Sequence, residues 1–191
     1  SYLLALIKYN KISSMLEMSR ALKTISHDAL TDFIKKIIDT QNILLKVGEN
    51  YYRMSDGWLI IDDTVIQKPH QKKFEGFNYI YDHAQHKSVK GIGVVMIAWT
   101  NKKKVVPLYF GIYQKNGTTK IKIALELLSK VRNALKLKPK AVLFDSWYAS
   151  IDILKRIHDY GWTFISQLKK NRHVNGKKIS ESCFAPYMHF K

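Results

Sequence analysis

The amino-acid sequence predicts an α/β protein, with a mixed five-stranded sheet flanked by helices and preceded by a small helical N-terminal region. Up to about residue 47, apolar residues recur at the spacing of amphipathic helices, whereas the chain after residue 55 contains short apolar runs typical of buried strands. The order of elements after residue 55 is three strands, helix, strand, helix, strand. A hairpin followed by right-handed crossovers produces a mixed sheet.

The N-terminal region, residues 1–50, is predicted to be helical. Ser26 is a suitable N-cap and Gly48 a suitable residue just past a helix end. Upstream, Ile12–Leu22 is predicted to form another helix. Two helices joined by a short turn are compatible with a DNA-binding helix-turn-helix, and a plain helical bundle explains the same pattern. The apolar face of the helix after Ser26 would consist of Leu30, Phe33, Ile34, Ile37 and Ile38.

The sheet is predicted to begin with Trp58–Thr64, where four consecutive large apolar residues follow a turn signal. The second and third strands, Gly91–Trp99 and Val105–Tyr113, are separated by a short turn and form an antiparallel hairpin. The segment Val65–Lys90 is interpreted as irregular and basic. The remaining predicted elements are the helix Thr118–Leu137, the strand Ala141–Phe144, the helix Ile151–Tyr160 and the strand Thr163–Leu168.

Composition limits the classes of function. A chain of 191 residues that is 46% hydrophobic can bury one sizeable core. The formal net charge of +17 favours a polyanionic partner, above all nucleic acid, although a basic surface also serves solubility. The single Cys183 excludes a disulfide framework and fits a reducing cytoplasm. No apolar run approaches the roughly 18 residues that a membrane span needs, and the initial Ser indicates a fragment.

Acidic residues follow two of the predicted buried strands. The first strand ends in Asp62 and Asp63, and the fourth strand is followed by Asp145. Because an unpaired buried charge is costly, such acids need a cation, and paired carboxylates suit Mg²⁺ or Mn²⁺. Side chains alternate along a strand, so only one acid of the Asp62–Asp63 pair can face a shared site, and the spacing does not choose between them. The alternative is that these acids pair with lysines or cap a turn.

Basic and aromatic residues are expected around this acidic site. Residues 101–140 contain eleven lysines and arginines against one acid, although some of these only solvate the long helix. Trp147 and Tyr148 either stack on an unpaired base or, as the favoured interpretation, pack in the core. His83 and His86 are interpreted as loop residues and His158 as structural. The predicted DNA-binding residues are Lys68, Lys72, Lys73, Lys169, Lys170 and Arg172.

The order of elements resembles that of the ribonuclease-H-like fold, in which the first and fourth strands are parallel neighbours. Four runs, LIIDDTVIQKP, YDHAQHKSVKGIGVV, VLFDSWYAS and GWTFISQLKKNR, resemble the DDE transposases of bacterial insertion sequences over most of residues 55–172. The resemblance implies that Asp63, followed by Thr64, and Asp145 are the first two catalytic metal ligands. It also implies Mg²⁺-dependent nicking and strand transfer at transposon ends, by a complex that generally contains two copies of the enzyme.

The chain departs from that family in its third acid. The family's catalytic Glu lies on a late helix beyond a β-rich insertion, and we expect it beyond Lys191. Neither Glu126 nor Glu181 is assigned to that role, because their positions or neighbours differ from the family pattern. Residues 55–172 are therefore predicted to form an incomplete transposase core, and residues 173–191 the start of a further region. The alternatives are a non-catalytic DNA-binding relic and another ribonuclease-H-like nuclease.

Overall fold

The structure of the protein is a computed structural model, which describes residues 15–36, 40–54, 56–67, 78–82, 85–167, 169, 172–174 and 177–178. No helix in this described part is long and apolar enough to cross a membrane. The α-helices are α1 (Met15–Leu22), α2 (His27–Lys36), α3 (Thr40–Met54), α4 (Lys120–Lys130) and α5 (Ile151–Asp159), and a π-helical segment, Val131–Leu135, continues α4. The strands are β1 (Trp58–Gln67), β2 (Asn78–Asp82), β3 (Lys87–Thr100), β4 (Val105–Tyr113), β5 (Val142–Phe144), β6 (Phe164–Ser166), β7 (His173–Val174) and β8 (Lys177–Lys178).

The chain divides into two compact units, Ser1–Asn42 and Ile43–Lys191. In the first unit, α1 packs against α2 through the buried side chains of Met18 and Leu30. Ser26 caps α2, because its hydroxyl accepts a hydrogen bond from the Ala29 backbone N–H at 3.2 Å, which confirms the predicted N-cap. Ile37 and Ile38 of the predicted apolar face lie outside the described residues. The helix-turn-helix stays a prediction.

Helix α3 corrects one expectation about the helical region. It continues past Gly48 to Met54, so the prediction that Gly48 follows a helix end is wrong. A β-carbon at Gly48 would collide with the Cγ1 atom of Val106 on β4. The glycine is therefore needed where the helix approaches the strand closely, and it does not terminate the helix.

The second unit is built on a mixed sheet with the strand order β2-β3-β1-β5-β6, and β4 also pairs with β3. Strand β1 is antiparallel to β3 along its whole length and parallel to β5, which is in turn parallel to β6. The expected parallel neighbours, the first strand and the strand that precedes Asp145, are thus adjacent. Their register pairs Leu59 with Val142 and Ile61 with Phe144. The predicted α/β class is confirmed.

The sheet contains a sixth strand that the sequence analysis assigned to irregular structure. Strand β2 lies in the segment Val65–Lys90, and β1 also extends into that segment as far as Gln67. Strand β2 pairs with the first part of β3, and its Tyr79 and Tyr81 side chains are exposed. An exposed strand of this kind has no continuous apolar run, so the pattern of a buried strand is missing.

Helices α4 and α5 cover the core face of the sheet. Leu59 and Ile61 of β1 belong to the same buried cluster as Leu128 of α4 and Ile153 of α5. Each helix begins at a side-chain cap, because the Thr119 hydroxyl accepts from the Lys122 N–H and the Ser150 hydroxyl from the Ile153 N–H. These caps fix where both helices start, and the start of α4 places Lys120 against Asp63.

Candidate active site

Alternation along β1 decides which of the two neighbouring acids faces the core side. Leu59, Ile61 and Asp63 share one face of the strand, and the first two are buried in the core. The Asp63 side chain is 22% exposed, whereas Asp62 is exposed. One Asp62 carboxylate oxygen accepts a hydrogen bond from the Asp63 backbone N–H at 2.9 Å. The structure thus places Asp63, as the resemblance implied, on the face that α4 and α5 cover.

Both carboxylate oxygens of Asp63 have side-chain partners. The Lys120 Nζ lies 2.5 Å from Oδ2, and the Tyr148 hydroxyl donates to Oδ1 at 2.8 Å. The alternative that these acids pair with lysines therefore holds for Asp63. Sequence reasoning did not single out Lys120, although a lysine in the first turn of a helix is unfavourable to the helix dipole and so hints at another partner.

Asp145 directly follows β5, as predicted, whereas Asp63 lies inside β1, which continues to Gln67, so the prediction that the first strand ends at its acids is wrong. Its Oδ1 accepts hydrogen bonds from the backbone N–H groups of Trp147 at 3.0 Å and Tyr148 at 3.3 Å. Its backbone carbonyl accepts from the Ser166 hydroxyl at 3.2 Å. This acid therefore caps a tight turn, as the alternative interpretation expected, and the turn carries Tyr148 toward Asp63.

Tyr148 joins the two acids. Its backbone N–H binds Asp145 and its phenol binds Asp63, while the side chain is only 1% exposed. Burial raises the pKa of Tyr148, and the charges of Asp63, Asp62 and Asp145 raise it further, so the phenol remains a protonated hydrogen-bond donor. The core position confirms the packing interpretation for Tyr148, whereas Trp147 is 41% exposed.

Lys120 is held between the acid and two aromatic rings. Its ammonium nitrogen lies 5.3 Å from the ring centre of Trp147 and 5.6 Å from that of Tyr113. The Lys120 side chain is 14% exposed. Carboxylate and rings thus surround a cation that is largely withdrawn from water.

The two acids offer the type of ligand atom that a hard divalent cation prefers. Asp63 on β1 and Asp145 directly after the neighbouring strand β5 present carboxylate oxygens, which Mg²⁺ and Mn²⁺ prefer. Within the described residues, no group of three acids, histidines or cysteines is placed to hold a metal ion. Glu126 is exposed on α4, and Glu181 lies outside the described residues. The expected third acid therefore stays a prediction.

The structure describes two of the six predicted DNA-binding residues. Lys169 is exposed, and its backbone carbonyl accepts from the Arg172 N–H at 3.0 Å. The Arg172 guanidinium donates to the Ala149 carbonyl at 2.6 Å, which anchors this segment beside the turn that carries Tyr148. The four others lie outside the described residues: Lys68, Lys72, Lys73 and Lys170.

The predicted histidine roles have different outcomes. His83 lies outside the described residues, and His86 is exposed in the turn before β3 with a positive φ of 50°. His158 is exposed on α5, and its Nδ1 lies 3.9 Å from the Asp159 carboxylate. In the described part of the chain, neither His86 nor His158 contacts Asp63 or Asp145. The structural role of His158 stays a prediction.

Fold and site together are those of an α/β domain with one acid on β1 and a second directly after its parallel neighbour β5. The transposase DDE domain family matches residues 54–186, and the chain belongs to this family. The structure is similar to the piggyBac transposase in a synaptic complex with hairpin DNA, with a TM-score of 0.50 and 18% identity. That match covers 89% of this chain and 40% of the piggyBac chain, so this chain spans about two-fifths of that length.

A second solved structure is more distant. The Mos1 strand transfer complex matches with a TM-score of 0.37 and 14% identity, covering 87% of this chain and 57% of the Mos1 chain. No curated protein sequence matches this chain. The similarity to the piggyBac structure supports the predicted ribonuclease-H-like fold. At 18% identity, this similarity concerns the fold alone.

Proposed function

We propose that this chain is the catalytic core of a DNA transposase of the bacterial insertion-sequence type, which nicks transposon ends and transfers the strand. The observation that carries the proposal is that Tyr148 contacts both Asp63, on β1, and Asp145, directly after the neighbouring parallel strand β5. Membership of the transposase DDE family supports it. In a bacterium, the compartment of action would be the cytoplasm, at the nucleoid.

In this proposal, Asp63 and Asp145 hold Mg²⁺, or Mn²⁺ in its place, together with a third acid outside the described residues. The bound metal would activate a water or a 3′-hydroxyl and stabilise the leaving oxygen of the phosphodiester. Tyr148 orients both acids, since its phenol and its backbone N–H fix one oxygen of each. The buried phenol keeps Asp63 in one rotamer, which preserves the site between turnovers.

The partner is transposon-end and target DNA, and the active complex is a homodimer on paired ends. The net charge of +17 supports a polyanionic partner, because basic side chains release counterions from the phosphates that they neutralise. We assign DNA contacts to Lys169 and to the four lysines outside the described residues that the sequence analysis selected. Arg172 has a role in positioning this segment, because its guanidinium binds the chain itself. Residues 1–50 are proposed as the DNA-binding helical region.

The test compares three acid-to-amide variants of the full chain. Supercoiled plasmid that carries the DNA flanking the gene is incubated with Mg²⁺ or Mn²⁺, and nicked product is followed on gels. Asp63→Asn and Asp145→Asn are expected to lower nicking by at least about a hundredfold, because each removes a metal-ligand charge. Asp62→Asn is the matched control, since it makes the same change on the opposite face of β1 and should retain activity.

The same preparations distinguish catalysis from binding alone. Salt-dependent binding to the plasmid should be nearly equal in the wild type and all three variants. Unchanged nicking in Asp63→Asn would refute the assigned site. Binding without metal-dependent nicking in the wild type would favour the second candidate, a non-catalytic DNA-binding relative, which the net charge of +17 also supports. Nicking that does not depend on the end sequence would favour another ribonuclease-H-like nuclease.

A further inference from the structure

The ion pair between Lys120 and Asp63 differs from the other described ion pairs in its burial. Both of its side chains are mostly withdrawn from solvent, whereas those of Lys35–Asp32, Arg53–Glu49 and Lys140–Asp56 are half or more exposed on at least one partner. Exposed pairs are screened by water and contribute little. A pair that is removed from water interacts more strongly, and the loss of one partner leaves a costly charge.

Lys120 is also the partner that balances the charge of Asp63. The other partner, Tyr148, is a neutral phenol, so it orients the carboxylate without compensating its negative charge. The ammonium lies against Oδ2, one of the two carboxylate oxygens that Asp63 could offer to a metal ion. A divalent cation bound there would lose the attraction of a carboxylate already neutralised and would be repelled by the ammonium.

Two aromatic rings next to Lys120 offer its ammonium an alternative contact away from Asp63. The rings of Trp147 and Tyr113 both lie within cation–π distance of Nζ, and Trp147 is partly open to solvent. A flexible four-carbon stem lets the ammonium shift from the carboxylate while it keeps an aromatic face. Displacement is thus a local side-chain movement and requires no change in α4, whose start is fixed by Thr119.

We propose that Lys120 is the built-in counter-cation of Asp63, and that a divalent metal must displace its ammonium in order to bind. Lys120 therefore weakens metal binding at the site and stabilises the metal-free protein. This inference rests on the proposed function, since it takes Asp63 to be a metal ligand. It assigns Lys120 a positioning role, because the side chain acts through Asp63.

The test measures Mn²⁺ binding to the full chain by titration calorimetry, without DNA. Lys120→Met removes the charge and keeps an unbranched side chain, and it is expected to bind Mn²⁺ about tenfold more tightly than the wild type, the scale on which a close opposite charge shifts a carboxylate equilibrium. Lys122→Met is the matched control, because it makes the same change on an exposed residue of the same helix, and its affinity should stay within about twofold.

The rise in unfolding temperature that Mn²⁺ causes gives a second readout, and a merely structural role of Lys120 would not change that rise. Without metal, Lys120→Met should unfold at a lower temperature than the wild type, because Asp63 loses its partner. Saturating Mn²⁺ should raise its unfolding temperature by more than it raises that of the wild type, since tighter binding stabilises more. Equal metal-induced shifts in the two proteins would show that Lys120 only supports the fold. Lys120→Gln serves the same comparison should the Met variant fail to fold.

The outcomes separate this inference from the proposed function. Mn²⁺ binding that Asp63→Asn abolishes, and that Lys120→Met leaves unchanged or weakens, overturns the role of Lys120 and leaves the metal site standing. Mn²⁺ binding that is equal in the wild type and Asp63→Asn overturns the proposed metal site, and the role of Lys120 with it. Tighter binding in Lys120→Met that Asp63→Asn cancels supports both.

Discussion

The geometry of the two acids depends on a single buried tyrosine. Tyr148 is fixed by core packing, by its backbone N–H on Asp145 and by its phenol on Asp63. A carboxylate that accepts such a bond loses rotational freedom before any ligand binds, which is the preorganisation that the proposed phosphoryl transfer would require. The position of Asp63 is therefore determined as much by the turn after β5 as by its own strand.

Substitution of this tyrosine tests the link directly. Tyr148→Phe keeps the ring in the core and removes the hydroxyl that donates to Asp63, so the free energy of unfolding should fall by about 1–2 kcal/mol. Metal-dependent nicking should fall as well, because Asp63 is less well oriented. Urea unfolding gives the stability and the plasmid assay the activity. Tyr79→Phe, at an exposed position of β2, is the matched control and should change stability by less than about 0.5 kcal/mol.

A different result would locate the constraint elsewhere. Equal stability and nicking in Tyr148→Phe and the wild type would mean that Lys120 alone positions Asp63. A loss of stability without a loss of nicking would limit Tyr148 to a structural role.

At the level of elements, the contact between α3 and β4 depends on the absence of a side chain. Gly48→Ala would ordinarily favour a helix by about 1 kcal/mol. Because the added β-carbon meets Val106, we expect the opposite sign, a loss of about 1–3 kcal/mol in the free energy of unfolding. Urea unfolding would measure it. The double variant Gly48→Ala with Val106→Ala removes the obstructing methyl groups and should recover part of that loss, whereas a stabilised single variant would contradict the contact.

The sequence predicts elements with strong local patterns and misses those defined by distant neighbours. Strands β1 and β5 are evident from their apolar runs, and the acids that follow these runs predicted a shared site for Asp63 and Asp145 on neighbouring strands. Strand β2 lacks such a run, since its tyrosines are exposed. Gly48 matches a local signal for a helix end, although a strand far along the chain explains it.

The same division applies to the candidate site. Lys120 and Tyr148 lie 57 and 85 residues from Asp63 in the chain, so no local spacing connects them with it. Only the register of β1 against β5 and the capped start of α4 bring the three side chains together. The sequence could therefore identify Asp63 and Asp145 as candidate site residues, whereas their hydrogen-bond partners could be found only from the tertiary structure.

For the whole molecule, buried phenols make the free energy of unfolding change with pH in the alkaline range. Burial raises the pKa of Tyr52 and Tyr109, and each stays protonated in the folded protein at a pH where the unfolded chain loses that proton. The unfolded state then binds fewer protons, so the free energy of unfolding falls as the pH rises through the ordinary tyrosine pKa of about 10. Urea unfolding between pH 8 and 11 should show a smaller fall in the double variant Tyr52→Phe with Tyr109→Phe than in the wild type. Parallel pH profiles for the two proteins would contradict this assignment.

With a net charge of +17, the proposed DNA affinity would be a property of the whole surface, and each basic side chain would contribute only if it is free to meet a phosphate. Lys169 is exposed, whereas the Arg172 guanidinium binds the Ala149 carbonyl. Lys169→Ala should therefore lower the salt dependence of duplex binding, the slope of log affinity against log salt, by about 0.9 and leave stability unchanged. Arg172→Ala should instead lower the free energy of unfolding, because the Ala149 carbonyl loses its donor.

Binding measured by fluorescence anisotropy at several salt concentrations, with urea unfolding alongside, checks both expected effects. A reversed pattern would mean that the guanidinium leaves the chain to bind DNA and that Lys169 contacts no phosphate.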